Sequence, residues 1–277
     1  MPELPEVEIV ARTLAPQVVG RRIVALEKLD WERMLETPDL PDFRALIGER
    51  MITSVGRRAK WVLIGLDAGW TLAVHLRMSG HLAVRGPAAE DDKHTHLVLG
   101  LDDLRRICFE DQRKFGRVRL LDPAGLAQLD QAHGPEPLDA AFTCEALGGI
   151  LAERRTPLKP LLLNQAMIAG IGNIYASEAL WLARLHPLTP AYATPPAQVP
   201  DLHAAIRAVL TEAIENQGSS LRNYRNSYGE RGHNQEHFHV YDRAGQPCQR
   251  CGEPIARAVI AQRSTFYCPI CQPLPVG

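Results

Sequence analysis

The chain has 277 residues, 45% hydrophobic and 23% charged, with a formal net charge of −1. That length supports one large or two modest domains with real cores, and the composition is that of an ordinary globular protein. No run approaches about 18 apolar residues and the acidic N-terminal stretch has no apolar signal core, so neither a membrane span nor a secretion signal is expected and a reducing, cytoplasmic setting is the default.

The neutral sum hides an asymmetry. Residues 1–153 carry 19 Lys and Arg against 24 Asp and Glu, whereas residues 154–277 carry 12 against 8. In the last 60 residues seven arginines face four acids, with no lysine. Arginine grips phosphate with a planar fork, so a protein neutral overall can still own a cationic groove. A mixed, solvated surface has the same composition.

In chain order, Met1-Pro2-Glu3 comes first. A small residue at position 2 favours removal of Met1, which would leave Pro2 with a free secondary amine. An α-amino group titrates at about 7.7–8.0, below the roughly 10.4 of lysine, so more of it is neutral and nucleophilic near neutral pH. Attack on a sugar C1′ or another carbonyl-like carbon would give an iminium ion, an electron sink, with Glu3 and Glu6 beside it as candidate acids or bases. Met-Pro is also a common start, and proline opens a helix well. Helical spacing covers 3–15, with Val7, Ile9, Val10 and Leu14 apolar.

From residue 22 the texture changes. Short segments rich in Val, Ile and Leu at 22–29, 51–55, 61–66, 70–75, 81–84, 96–101, 104–109 and 117–121, separated by Gly or Asp turns, predict an antiparallel sandwich or barrel. One short helix fits at 42–48. Basic clusters fall at Arg57-Arg58-Lys60 and at Arg113-Lys114 with Arg117 and Arg119. Met78 and Phe115 lie among these strands, where residue type alone favours a core position. Residues 132–137, rich in Gly and Pro, read as a linker. Beyond them helices are predicted at 143–152, 157–167, 172–184 and 198–216. A tight turn at Gly170-Ile171-Gly172-Asn173 breaks two of them. The polar stretch 217–237 is a long loop, and a loop of that length is usually functional or mobile.

Cys248-x2-Cys251 and Cys268-x2-Cys271 are sixteen residues apart. The spacing suits a zinc ion held by four thiolates, each CxxC turn supplying a pair. Two disulfides or a redox pair are the other readings; a reducing compartment and the lack of a thioredoxin-like βαβ context weigh against them. Full cysteine ligation would make the zinc structural. Residues 255–267 read as a β-hairpin between the pairs. Its turn presents Arg263, either to a phosphate or simply to solvent. Cys108 and Cys144, in apolar stretches, read as inert core thiols.

Three segments together resemble the bacterial formamidopyrimidine-DNA glycosylase family. They are Pro2-Glu3-Leu4-Pro5-Glu6-Val7-Glu8, the stretch from Asn164 to Glu178 with its Gly170-Ile171-Gly172-Asn173 turn, and Gln262-Arg263-Ser264-Thr265-Phe266-Tyr267-Cys268-Pro269-Ile270-Cys271. The resemblance spans nearly the whole chain with its motifs in order. It implies an α+β, two-domain protein: an N-terminal antiparallel β-sandwich catalytic domain over 1–133, a linker over 134–142, a helix–two-turn–helix domain with a lesion-capping loop over 143–236, and a four-cysteine zinc finger over 237–277.

The resemblance also implies a bifunctional DNA glycosylase and abasic-site lyase of base excision repair, acting on 8-oxoguanine and formamidopyrimidines in double-stranded DNA. Pro2 matches the family's nucleophile and Glu3 the acid or base at the sugar. Lys60 matches the proton donor in β-elimination, and Arg263 the residue for δ-elimination and phosphate binding. His94, Arg113, Arg154, Asn173, Lys159 and His75 match DNA-contacting positions. Met78, Arg113 and Phe115 match the intercalating triad that fills the gap left by a flipped base. Glu6, Glu178, Ser219 and Ser220 match the lesion pocket, with 217–224 as the capping loop and 225–236 the most divergent stretch. One structural zinc on Cys248, Cys251, Cys268 and Cys271 is implied, as are a monomer and a cytoplasmic, nucleoid-associated setting. Two rivals remain: an endonuclease VIII-like glycosylase for oxidised pyrimidines, and a zinc-ribbon DNA-binding protein without catalysis.

Overall fold

The computed structural model describes residues 1–221 and 223–274. Arg222, part of the expected capping loop, lies outside the described residues. The chain divides into two compact units: Met1–Gln131 with Asn216–His233, and Ala132–Glu215 with Asn234–Gly277. The loop assigned from sequence to the helical domain therefore packs, over Asn216–His233, with the sheet-bearing unit.

In the first unit, helix α1 (Leu4–Val18) starts at a reciprocal capping box. The Glu3 side chain accepts from the backbone of Glu6, and the Glu6 side chain accepts from the backbone of Glu3. Leu4, Val7, Val10, Leu14 and Val18 recur every three or four residues and are fully buried; each contributes about 1.5–3 kcal/mol by leaving water. This stripe carries the helix past the expected end, through Pro16 to Val18.

The strands are β1 (Arg22–Leu29), β2 (Leu35–Thr37), β3 (Arg50–Arg58), β4 (Trp61–Leu66), β5 (Thr71–His75), β6 (Gly80–Arg85), β7 (Thr95–Leu101), β8 (Arg106–Asp111) and β9 (Arg117–Leu121). Helix α2 (Leu40–Ile47) and helix α3 (Pro123–Gln131) flank them. Among the described residues the nine strands run in the order β2-β9-β5-β4-β3-β1-β7-β8-β6. The ladders are antiparallel as expected, except that the short edge strand β2 pairs parallel with β9. Side chains from both halves of the sheet and from α1 share one buried cluster, including Ile52, Val74, Leu97, Phe109 and Val10. The strand expected at 104–109 begins two residues late because Leu104 turns the chain at φ 68°.

Helix α1 lies antiparallel to β3. At its C-terminal end Gly20 N–H donates to the Ile52 carbonyl at 2.8 Å, and near its start Glu8 pairs with Arg57 at 3.1 Å. The N-terminus of α1 is thereby delivered to the β3–β4 hairpin, Arg57–Trp61.

The second unit contains α4 (Cys144–Ala152), α5 (Leu158–Leu163), α6 (Asn173–Leu182), α7 (Val199–Glu215) and the hairpin β10 (Ala256–Ile260) and β11 (Arg263–Tyr267). The expected linker is packed rather than loose. Gly134 N–H donates to the Gln165 carbonyl at 2.8 Å, Arg207 donates to the Pro137 carbonyl at 2.8 Å, and buried Phe142 stacks on His203. A side chain at Gly134 would lie 2.4 Å from the Met167 carbonyl oxygen. The helix expected at 157–167 stops at Leu163 because side chains take over the backbone. Asn164 Oδ1 accepts from Ala166 N–H, and Gln165 bonds the Leu163 and Ile171 carbonyls and Gly170 N–H.

The four cysteine sulfurs lie within 4.8 Å of one another. The Cys248–Cys271 pair is 3.9 Å apart and the Cys251–Cys268 pair 3.4 Å, close to the roughly 3.8 Å edge of a tetrahedron with Zn–S bonds of ~2.3 Å. Backbone N–H groups of Arg250 and Cys271 point at the sulfurs of Cys248 and Cys268, which suits thiolates. The donor set fits zinc and leaves no open position, so the ion is structural. The knuckles pack with Trp181, Val240, Ile255 and Phe266, and Arg250 caps the end of α6 by stacking on Trp181 and donating to its carbonyl.

Two outcomes follow. Gly134→Ala should cost about 1–3 kcal/mol through overpacking against Met167, read as a lower urea midpoint. Stripping zinc with a strong chelator should shift tryptophan emission to the red, through exposure of Trp181, and zinc should restore it.

Candidate active site and nucleic-acid interface

Pro2 and Glu3 are buried at the start of α1, at the hairpin end of the sheet. Lys60 is the last residue of that hairpin turn and is 5% exposed. Ala59, before it, has φ 51°, and its carbonyl accepts from Arg57 at 3.0 Å. The β3–β4 register pairs Arg58 with Trp61, Trp61 pairs with His75, and His75 with Arg117. A single rung therefore gathers Arg58, Trp61, His75 and Arg117 at one end of the sheet, with Lys60 in the adjoining turn. His75 meets Trp61 edge-on at 5.0 Å, and Arg119 stacks on the Trp61 ring at 4.8 Å. His75 Nδ1 accepts from Arg77 N–H at 3.0 Å, so its ring proton sits on Nε2 when neutral.

Two loops leave this end of the sheet. One carries Met78, the other Arg113 and Phe115. Met78 and Phe115 are each 43% exposed, so neither occupies the core position that residue type favoured. The Arg113 guanidinium stacks on the Phe115 ring at 4.8 Å. His94 is half-buried, and its carbonyl accepts from Asp111 N–H at 2.8 Å.

The loop Asn216–His233 stands over the start of α1. Ser219 N–H donates to Glu6 Oε1 at 2.8 Å, and Glu6 Oε2 accepts from Glu3 N–H at 2.8 Å. Tyr224 Oη donates to the Glu6 carbonyl at 3.3 Å; burial first, then the Glu6 carboxylate, push its phenol well above the usual range. Gly218 takes φ 79°, and a Cβ there would press on both Glu6 and Tyr224. Ser220 Oγ donates to the Tyr224 carbonyl and accepts from Gly232 N–H.

The divergent stretch is ordered around Asn226. Its Oδ1 accepts from Tyr228 and Glu230 N–H. It is bolted to the first unit by Ser227 Oγ on Thr13 at 2.6 Å and by His81 Nε2 on the Asn226 carbonyl at 3.0 Å.

In the second unit, Asn173 opens α6 and its Nδ2 donates to the Ser264 carbonyl at 2.9 Å. This ties the helix N-terminus to the hairpin that presents Arg263. Arg263 and Arg154 are exposed. Lys159, expected at the DNA, is fully buried. Its Nζ donates to Ser177 Oγ at 2.7 Å and reaches the Ser264 carbonyl at 3.5 Å. It thus acts from beneath the hairpin. Glu178, expected in the lesion pocket, instead accepts from the N–H groups of His239, Val240 and Tyr241 and from His239 Nδ1. Both carboxylate oxygens hold the chain that leads into the zinc finger. Sequence reasoning missed Trp61, Thr13 and His81, and placed Arg119 only in a basic cluster, without its ring partner. The period-two pattern on β4 and β5 was the one available signal, for Trp61.

Comparison with known proteins agrees in every part of the chain. Residues 1–118 match the formamidopyrimidine-DNA glycosylase N-terminal domain, 133–225 its H2TH domain, and 245–274 a zinc finger found in FPG and IleRS. A formamidopyrimidine-DNA glycosylase of Chloroflexus aggregans is 64% identical over 274 residues, covering 99% of each chain. A Lactococcus lactis FPG mutant in complex with Fapy-dG-containing DNA superposes with a TM-score of 0.92 at 34% identity, covering 98% of this chain and 100% of that one. MutM bound to carbocyclic 8-oxo-G-containing DNA gives 0.91, also at 34%, with the same coverage. Among the described residues no helix is long and apolar enough to cross a membrane. The chain belongs to the formamidopyrimidine-DNA glycosylase family.

Proposed function

We propose that the chain is a DNA glycosylase and abasic-site lyase of base excision repair that removes 8-oxoguanine and formamidopyrimidines from duplex DNA. The observation that carries this reading is the delivery of Pro2 and Glu3 by α1 to the hairpin end of the sheet, where Lys60 lies. With Met1 removed, the Pro2 amine attacks C1′ of the damaged nucleoside. The base departs, the C1′–O4′ bond opens with a proton passing to O4′, and the ring-opened sugar is held as an iminium on Pro2. Glu3 moves a proton at the sugar, and Lys60 supplies one during β-elimination. C1′ lies inside a duplex, so the nucleotide must leave the stack. Met78, Arg113 and Phe115 take its place, with Arg113 offering donors to the orphaned cytosine. Ser219, Ser220 and the backbone of the capping loop line the flipped purine, with Glu6 holding that loop.

In the second unit Arg263, Arg154 and Asn173 bind phosphates, with His94 and His75 contributing from the first. Lys159 supports Ser264 rather than touching DNA. Arg263 also serves δ-elimination. The proposed domains are 1–133, catalytic, a linker over 134–142, 143–236, helix–two-turn–helix, and 237–277, zinc finger, with the capping loop working as part of the first unit. The protein acts as a monomer in the cytoplasm, with the nucleoid.

Borohydride should trap a covalent adduct with 8-oxoguanine duplexes, and thymine glycol opposite adenine should react more slowly. A form retaining Met1 should bind DNA but give neither adduct nor excision; full excision by it would sink the mechanism. Glu3→Gln should slow base release by about 10²-fold or more while leaving binding intact, the scale of a lost general acid or base. Arg263→Ala should reduce the slope of log affinity against log salt by about 1, one phosphate contact.

A further inference from the structure

We infer that Asp111 is the positioning residue that sets the intercalating wedge, joining its two loops through one buried carboxylate; this rests on the wedge reading above. Asp111 ends β8 directly opposite Gly80, which begins β6. The loops carrying Met78 and Arg113 with Phe115 therefore leave the sheet from the same rung. The residue is 1% exposed. Its Oδ1 accepts from Ser79 Oγ and from Arg113 N–H, the latter at 3.2 Å. Its Oδ2 accepts from Phe115 N–H and Gly116 N–H, each at 2.7 Å.

A carboxylate that only capped its own turn would need the last three donors. Ser79 belongs to the other loop, one residue after Met78, and its hydroxyl is what links the two. Each loop alone is a tight turn with one left-handed residue. Arg77 has φ 55° and Lys114 φ 56°, and the turns close through Gly80 N–H on the Leu76 carbonyl and Lys114 N–H on the Asp111 carbonyl. Such turns place their own tips but say nothing of the spacing between them. The carboxylate fixes that spacing, so the thioether and the cation–aromatic pair enter the stack as one body. Arg117 supports the same arrangement by donating to the Phe115 and Gly116 carbonyls. The backbone N–H of Asp111 extends it to His94.

Ordering before contact matters because flipping must compete with restacking. A wedge assembled in advance loses less conformational freedom on insertion. Hydrogen bonds to a buried carboxylate are the strong kind. Removing the Ser79 donor should lower the population of the assembled wedge roughly tenfold, the scale of one bond to a charged group.

The test uses the full chain and a duplex in which 2-aminopurine neighbours the lesion, so that unstacking raises its fluorescence. Ser79→Ala should slow the fluorescence rise and 8-oxoguanine excision together by roughly tenfold. Its thermal midpoint should move by no more than about 2–4 °C. Ser79→Thr, which returns the hydroxyl, should regain both rates. Asp111→Asn keeps at most one of the two accepting oxygens and should be slower than Ser79→Ala; if it does not fold, the Ser79 pair carries the test. Parental unstacking by Ser79→Ala, or no recovery in Ser79→Thr, overturns the positioning role. Met78→Ala is the control for the underlying reading. If it unstacks the reporter like the parent, the wedge assignment falls and this inference with it.

Discussion

Glu6 is the constraint on which the site depends. One carboxylate oxygen takes the N–H of Glu3 and so fixes the chain ahead of the helix. The other takes the N–H of Ser219, which is 213 residues away in sequence. A single side chain therefore holds the start of the chain and the loop proposed to cover the lesion. Both bonds are to a buried, acceptor-only group, so neither can be given up cheaply. Without this clamp the segment ahead of the helix would move through solvent, and the reaction proposed for Pro2 would lose the benefit of a fixed position.

The two units divide the physical work. The first supplies shape: a buried chain end, a rung of aromatic and basic side chains at the hairpin end of the sheet, and two loops with exposed apolar tips. The second supplies charge. Its helix N-terminus, the arginine of the hairpin and the exposed Arg154 suit phosphate, and its zinc holds the hairpin through the cluster around Trp181. Counted by unit the formal balance is nearly even, 22 Lys and Arg against 21 Asp and Glu in the first and 9 against 11 in the second, so placement and not net charge suits these arginines to phosphate. Arginine predominates where geometry matters, because a fork orients on phosphate and a point charge does not.

Much of this was legible in the sequence, for identifiable reasons. The strands announced themselves through dense β-branched segments between Gly and Asp turns, and the zinc site through ligand spacing that few other structures use. Helix ends were harder. The first helix was expected over 3–15, yet buried Val18 carries α1 through Pro16. Asn164 and Gln165 looked helical, yet their amides captured the backbone and ended α5. The roles of Lys159 and Glu178 were beyond the reach of motif reasoning, since both residue types usually face water. Only the packed structure reveals an ammonium buried under a hairpin, or a carboxylate spent on three consecutive amides. Similarly, Met78 and Phe115 have the composition of core residues, and exposure alone distinguishes a wedge from a core.

The turn around Asn226 gives the capping loop a second foot. One foot is at Glu6, which holds Ser219, and the other is at Thr13 and His81, which hold Ser227 and Asn226. A substitution at Glu6 would therefore loosen the chain start and this loop together, whereas one at Thr13 or His81 would loosen the loop alone.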